Sequence, residues 1–210
     1  MIKTRLNQLR MVSGNFEKGL RINKNPNTGA YVPSLIPGDN NGTNHINIVV
    51  HPYTAAIAHT HSNDVAYKMF SAPDILKMAQ IVNRVQSNAN STVLPLEITH
   101  ILVVDNNDTD KTYAIRFDDM QSIQILQDII SNKKKQQRFN KKLKNAYESD
   151  YSYQTYTDET DIFKQQRHLF KHLEKYNLNI SLYEANFNDL GLVDHWQKIN
   201  KETLEQEPCN

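Results

Sequence analysis

The chain has 210 residues, a formal net charge of +1, a pI near 7.8 and a mean hydropathy of −0.65. A chain of this length buries a core without staples, and one cysteine, Cys209, excludes an internal disulfide. Near-neutral charge gives no global field for nucleic acid, and no apolar run approaches the ~18 residues of a membrane-spanning helix.

The first residues are basic but lack the apolar segment of a secretory leader, so a cytoplasmic protein is expected. Residues 1–12 carry Ile2, Leu6, Leu9 and Met11, which suits a short helix or a leading strand. Phe16, Leu20 and Ile22 fall on alternate positions and predict a strand. Residues 23–29 form a turn by composition, residues 30–36 return as a second strand, and residues 37–44 are a loop. The short apolar run 46–50 is cut off by Pro52, and residues 55–61 read as a buried strand of small residues ending in two histidines.

Residues 62–70 are a polar loop. Residues 73–86 are a helix, because Ile75, Met78, Ala79, Val82 and Val85 recur at three- and four-residue spacing. Residues 98–105 and 111–117 flank a turn-like segment and predict a hairpin. From 119 to about 147 the pattern predicts one long helix, opened by Asp118 and Asp119 at the positive end of its dipole. A tyrosine-rich linker leads to a helix over 160–176, a strand over 179–187 and a packing segment around Trp196. The expected fold is α/β, with a central mixed β-sheet flanked by helices. Residues 1–118 carry the chemistry, and residues 119–210 form a mainly helical C-terminal extension that packs on them or serves as a partner arm.

The chemistry centres on residues 55–84. His59-Thr60-His61 puts two imidazoles on one face of a strand. Ser71-Ala72-Pro73-Asp74 follows at the mouth of the next helix and has the form of a capping box, with Ser71 at the N-cap. Capping would hold the Asp74 backbone while its second oxygen reaches a metal. Two imidazoles and one carboxylate are three zinc ligands that leave a fourth position open, as catalytic sites do. A hydrolytic site also needs a general base. Upstream of His59 only Glu17 and Asp39 are carboxylates; Asp39 lies in a turn-like loop, whereas Glu17 sits on a predicted strand before Gly19.

Glu17, then His59-Thr60-His61 after 42 positions, then Ser71-Ala72-Pro73-Asp74 resembles the signature of the JAB/MPN (JAMM) metalloproteases. The resemblance covers roughly residues 12–117. It implies JAMM/cytidine-deaminase-like layering and a Zn2+ held by His59, His61 and Asp74. It also implies Glu17 as general base, Ser71 as hydrogen-bond donor to the oxyanion, and cleavage of peptide or isopeptide bonds in a peptide or protein substrate. Two features depart from the family pattern: Ser62 stands where proline is common, and nine residues separate His61 from Ser71, about two more than usual.

Other readings fit less well. The metallo-β-lactamase pattern fails at Asn63 and Asp64. A metal-dependent phosphoesterase of the PHP type would need further ligand clusters, and His100, His168, His172 and His195 are scattered. A non-catalytic JAMM-like domain that binds a partner protein through its C-terminal helices is the alternative of another class. His45 and His51 read as structural or surface residues. The basic run over 133–144 reads as a solvated helix face and not as a nucleic-acid surface, since Phe139, Leu143 and Ala146 leave a packing stripe behind it.

Overall fold

The computed structural model describes residues 2–11, 17–36, 46–61, 67–104, 111–149 and 158–208. Phe16, Asp39, His45, Ser62, Asn63, Asp64, the turn of the predicted hairpin, most of the tyrosine-rich linker and Cys209 lie outside them. Among the described residues the architecture is α/β, with eight strands in one mixed sheet and five α-helices.

The chain opens with α1 (Ile2–Met11), which places Leu6 and Leu9 against the sheet. Strands β1 (Gly19–Lys24) and β2 (Tyr31–Ile36) form an antiparallel hairpin, and β1 pairs antiparallel with β3 (Thr54–His61). Helix α2 (Ala72–Gln86) then crosses over to β4 (Thr99–Val104), the one parallel neighbour of β3 among these strands. Strand β5 (Lys111–Phe117) pairs antiparallel with β4, as the alternating apolar runs predict.

The long helix expected from 119 is two helices, α3 (Met120–Ser131) and α4 (Lys133–Ser149). Asn132 breaks it. Its backbone is extended (φ −124°, ψ 109°), and its Oδ1 accepts from the Lys134 and Lys135 N–H groups as an N-cap for α4. Asparagine prefers such local bonds to a helix interior. Helix α5 (Asp158–Lys175) leads into β6 (Ile180–Phe187), β7 (Val193–Ile199) and the short β8 (Gln206–Glu207).

Residues after 118 therefore supply three strands as well as three helices. β6 pairs with β5, so the sheet runs in the order β2-β1-β3-β4-β5-β6-β7-β8. The start of α3 is stitched to the start of β6: Ser122 Oγ accepts from Asn179 N–H (2.7 Å), and Asp118 accepts from Ser181 Oγ (2.7 Å). One apolar cluster joins Ile57, Leu102, Tyr113 and Leu182 of the sheet to α2, α3, α4 and α5. A smaller one joins Leu20, Ala58 and Ile101 to α1. No helix among the described residues is long and apolar enough to cross a membrane.

Where α4 meets α5, Phe139 is fully buried and its ring lies 4.4 Å from that of His172 and 4.8 Å from that of Tyr176. Removing that ring leaves a cavity in the layer that covers the sheet. Phe139→Ala is expected to lower the unfolding free energy by about 3–5 kcal/mol, read from urea denaturation followed by far-UV circular dichroism.

Candidate metal centre

Strand β3 is buried along its whole length. Its period-two alternation points Ala55, Ile57, His59 and His61 toward α2 and its neighbours, and Ala56, Ala58 and Thr60 toward α1. The alanines leave room for helices on both faces. Both histidines thus emerge side by side at the carboxyl end of β3.

Helix α2 starts as its sequence predicts. Ser71 is the N-cap with extended backbone, and the capping box is complete. The Ser71 N–H and hydroxyl both donate to Asp74 Oδ2, each at 2.7 Å. With Oδ2 held from two sides, Oδ1 is the oxygen aimed at the histidines, 3.5 Å from His59 Nε2.

The hydrogen-bond network assigns the tautomers. A carbonyl oxygen only accepts. His61 Nδ1 therefore donates to the Tyr67 carbonyl (2.7 Å), and His100 Nδ1 donates to the Asp74 carbonyl (3.0 Å). Neutral His100 then has a bare Nε2, which accepts from His59 Nδ1 at 3.0 Å. The result is that His59 and His61, when neutral, both present bare Nε2 lone pairs, and these two atoms are 3.1 Å apart. Two acceptors at that distance repel, so the contact needs either a proton shared between the rings or a metal cation between them.

A zinc ion would suit that spacing. Tetrahedral coordination with bonds of about 2.0–2.1 Å sets donor atoms roughly 3.3–3.4 Å apart. The 3.1 Å between the two Nε2 atoms and the 3.5 Å from His59 Nε2 to Asp74 Oδ1 bracket that spacing. Among the described residues the group whose potential ligand atoms all lie within 4.8 Å of one another is His59, Asp74 and His100, without His61. Both ring nitrogens of His100 are engaged, however, by the Asp74 carbonyl and by His59. His100 is thus the partner that orients a ligand, a role typical of the outer shell of metal sites.

The protonation states suit a cation. Burial, with the charge of His59 second, lowers the His61 pKa to about 4, and burial also lowers that of His100. Burial would raise Asp74, but the charges of His59, His100 and His61 and the Ser71 hydrogen bond outweigh it and bring the carboxyl to about 2. Near pH 7 the His61 imidazole is neutral and the Asp74 carboxylate is ionised, so neither of these two groups need lose a proton to bind a metal.

Glu17 is buried at the start of β1 and lines the same cleft as His59, His61, Ser71 and Asp74. Gly19 pairs with His59, and the same antiparallel register carried two residues back sets Glu17 against His61. The bonds between Lys18 and Thr60 confirm that register (3.0 and 2.9 Å). The negative charge of Glu17 acts on His61, raising its proton affinity. Glu17 Oε2 accepts from the Ile46 N–H at 3.0 Å. That bond needs the chain near Ile46 to lie close on β1, and Gly19 permits it: a Cβ at position 19 would come within 2.7 Å of Ile46 Cδ1 and 3.0 Å of Ile48 Cδ1.

The five residues that the sequence singles out thus line one cleft, of ≈ 680 Å³, together with His100. Scattered along the chain, His100 is central in space. One sequence signal bears on it: His100, Leu102 and Val104 form the helix-facing set of β4, and a histidine in an otherwise apolar set calls for a partner. The other participants carry no such signal. The Tyr147 hydroxyl of α4 donates to the Phe70 carbonyl (2.9 Å), and Gln165 Oε1 of α5 accepts from the Lys68 N–H (2.7 Å). These bonds pin residues 67–70, the segment whose Tyr67 carbonyl orients His61.

No family model, no curated protein and no solved structure matches the chain.

Tyr147→Phe removes one pin while keeping the ring that packs 5.3 Å from Tyr67. Zinc affinity is expected to fall about tenfold, as outer-shell changes do, read by competition with a chromophoric chelator. The metal-free protein is also acid-labile in a defined window. The folded-state pKa of His61 is about 4 against an ordinary 6.5, so its stabilisation is complete above 6.5 and is lost as pH falls toward 4. Buried His100 and His172 shift the same way. Asp74 acts lower, between its ordinary 3.8 and about 2. The melting temperature of the metal-free protein should therefore drop between pH 6.5 and 4, and His172→Phe should make the drop shallower.

Proposed function

We propose that the chain is a JAB/MPN-like zinc hydrolase that cleaves a peptide or isopeptide bond. The observation that carries this reading is the pair of bare Nε2 atoms on His59 and His61, 3.1 Å apart, with Asp74 Oδ1 beside them and Glu17 in the same cleft. Helices on both faces of the sheet are in keeping with JAMM/cytidine-deaminase-like layering.

His59, His61 and Asp74 would hold the zinc. When bound, zinc supplies Lewis acidity, which acidifies a water and polarises the scissile carbonyl. Glu17 takes a proton from the attacking water and delivers it to the leaving nitrogen. Its burial beside Ile46 shields that carboxylate from bulk solvent and fixes its orientation. Ser71 first aims Asp74. To donate to a developing oxyanion its hydroxyl must turn away from Asp74 Oδ2, and its backbone N–H keeps hold of that oxygen when it does. The apolar side chains of Ile46, Ile48 and Ile57 exclude water around the reacting carbonyl.

Metal analysis of protein purified without added metal is the direct test. Wild type is expected to carry about one zinc per chain, His61→Ala none, and Glu17→Ala the wild-type amount, since Glu17 is not a ligand. With zinc retained, Glu17→Gln should lower peptide hydrolysis by on the order of 10²–10⁴-fold. A wild-type protein that neither carries nor takes up zinc would sink the hydrolase reading, and the chain would then be treated as an interaction domain.

A further inference from the structure

Three features of the cleft are not used by the hydrolytic machinery. Lys77 lies one helical turn beyond Asp74 on α2, lines the cleft and is half-buried. No hydrogen-bond or ion-pair partner accepts from its ammonium among the described residues, and burial alone lowers its pKa, with no carboxylate raising it. On α4, Gln137, Asn140, Lys141 and Lys144 recur at three- and four-residue spacing and line the cleft from a second wall. Lys141 is exposed and has no partner among the described residues, whereas Lys144 reaches Glu148 at 3.5 Å. Asn140 Oδ1 is buried and accepts no hydrogen bond among the described residues.

A half-buried ammonium without a counter-ion and a buried carbonyl oxygen without a donor are both costly. Each is relieved by a ligand of definite chemistry: an anion for the lysines, an N–H group for Asn140. The two carboxylates that line the cleft, Glu17 and Asp74, are assigned to proton transfer and to the metal, so neither neutralises the lysines. The basic run of α4, from Lys133 to Lys144, extends the positive field beyond the cleft mouth.

We propose that the cleft is built for an acidic stretch of polypeptide: Asn140 Oδ1 accepts a substrate backbone N–H, and Lys77 with Lys141 holds a carboxylate side chain near the scissile bond. A polypeptide is favoured over a nucleic acid because a phosphate backbone offers no N–H to Asn140. In addition, no arginine lines the cleft to grip a phosphate bidentately, and Tyr67 and Tyr147, its only aromatic linings among the described residues, pack on each other. The assignment rests on the reading of the site as a peptide hydrolase and names its substrate class.

The test uses the full chain loaded with zinc and carrying Glu17→Gln, which holds substrate without cleaving it. Two rhodamine-labelled Gly/Ser peptides of equal length, one with several glutamates and one with glutamines in their place, are titrated in fluorescence anisotropy. The glutamate peptide is expected to bind about tenfold more tightly and to lose that margin at high salt. Lys77→Met, which keeps the aliphatic stem, should reduce the margin, and adding Lys141→Met should erase it. Zinc content and far-UV circular dichroism should stay unchanged in both. Asn140→Leu should weaken both peptides alike, because the N–H contact is blind to side-chain charge.

Equal binding of the two peptides overturns the proposal, as does a preference that survives the double lysine variant. A single-stranded RNA oligonucleotide that binds more tightly than the glutamate peptide overturns it in favour of a phosphate surface. If the glutamate preference stands while zinc-loaded wild type cleaves no such peptide, the hydrolase reading falls and the acidic-peptide site remains. If wild type cleaves both peptides without charge preference, the acidic-peptide site falls and the hydrolase reading remains.

Discussion

The centre depends on one electrostatic constraint: two imidazole nitrogens held 3.1 Å apart, a spacing that calls for a proton or a metal ion between them. Nothing in the two rings requires that closeness. It is imposed from behind, by the Tyr67 carbonyl on His61 and by the chain from the Asp74 carbonyl through His100 to His59. Each outer bond fixes a proton on Nδ1 and so bares Nε2. Three hydrogen bonds orient the two imidazoles, with an ionised carboxylate 3.5 Å from one of them, an arrangement that would suit a cation.

That preparation draws on the whole chain. His59 and His61 come from β3, Asp74 from α2 and His100 from β4, while Glu17 enters from the neighbouring strand through the β1–β3 register. The segment that orients His61 is pinned by Tyr147 of α4 and Gln165 of α5. The later helices therefore reach the cleft directly: they brace the segment that orients His61 and provide the wall that carries Asn140, Lys141 and Lys144. The strands that follow α5 continue the sheet beyond β5, which keeps that wall in a fixed relation to β3.

The charge distribution is equally local. The chain is nearly neutral, yet α4 concentrates lysines and arginine beside the cleft that Glu17 and Asp74 line. Both descriptions of the basic run hold at once: its side chains are solvated, and the helix turns some of them toward the cleft. Net charge alone is blind to that separation.

Much of the architecture is legible in the sequence because it is written at short range. The alternation around Leu20 and Ile22, the small buried residues before His59, and the helical spacing from Ile75 to Val85 each specify an element by its period. Ser71-x-x-Asp74 specifies a capping box, and that box orients the carboxylate. Two histidines two apart on a strand have to share a face. Other features depend on groups distant in the chain. The break at Asn132 depends on one side chain capping the next helix in place of continuing the last. His100 reaches His59 only because β4 lies parallel to β3 in a register that a sequence does not display. Tyr147, Gln165 and Lys77 acquire meaning only when α2, α4 and α5 close around one cleft. Local periodicity set which faces were apolar and which residue types stood ready for chemistry. Packing and strand register decided which of those residues meet, because both sum contacts over positions tens of residues apart.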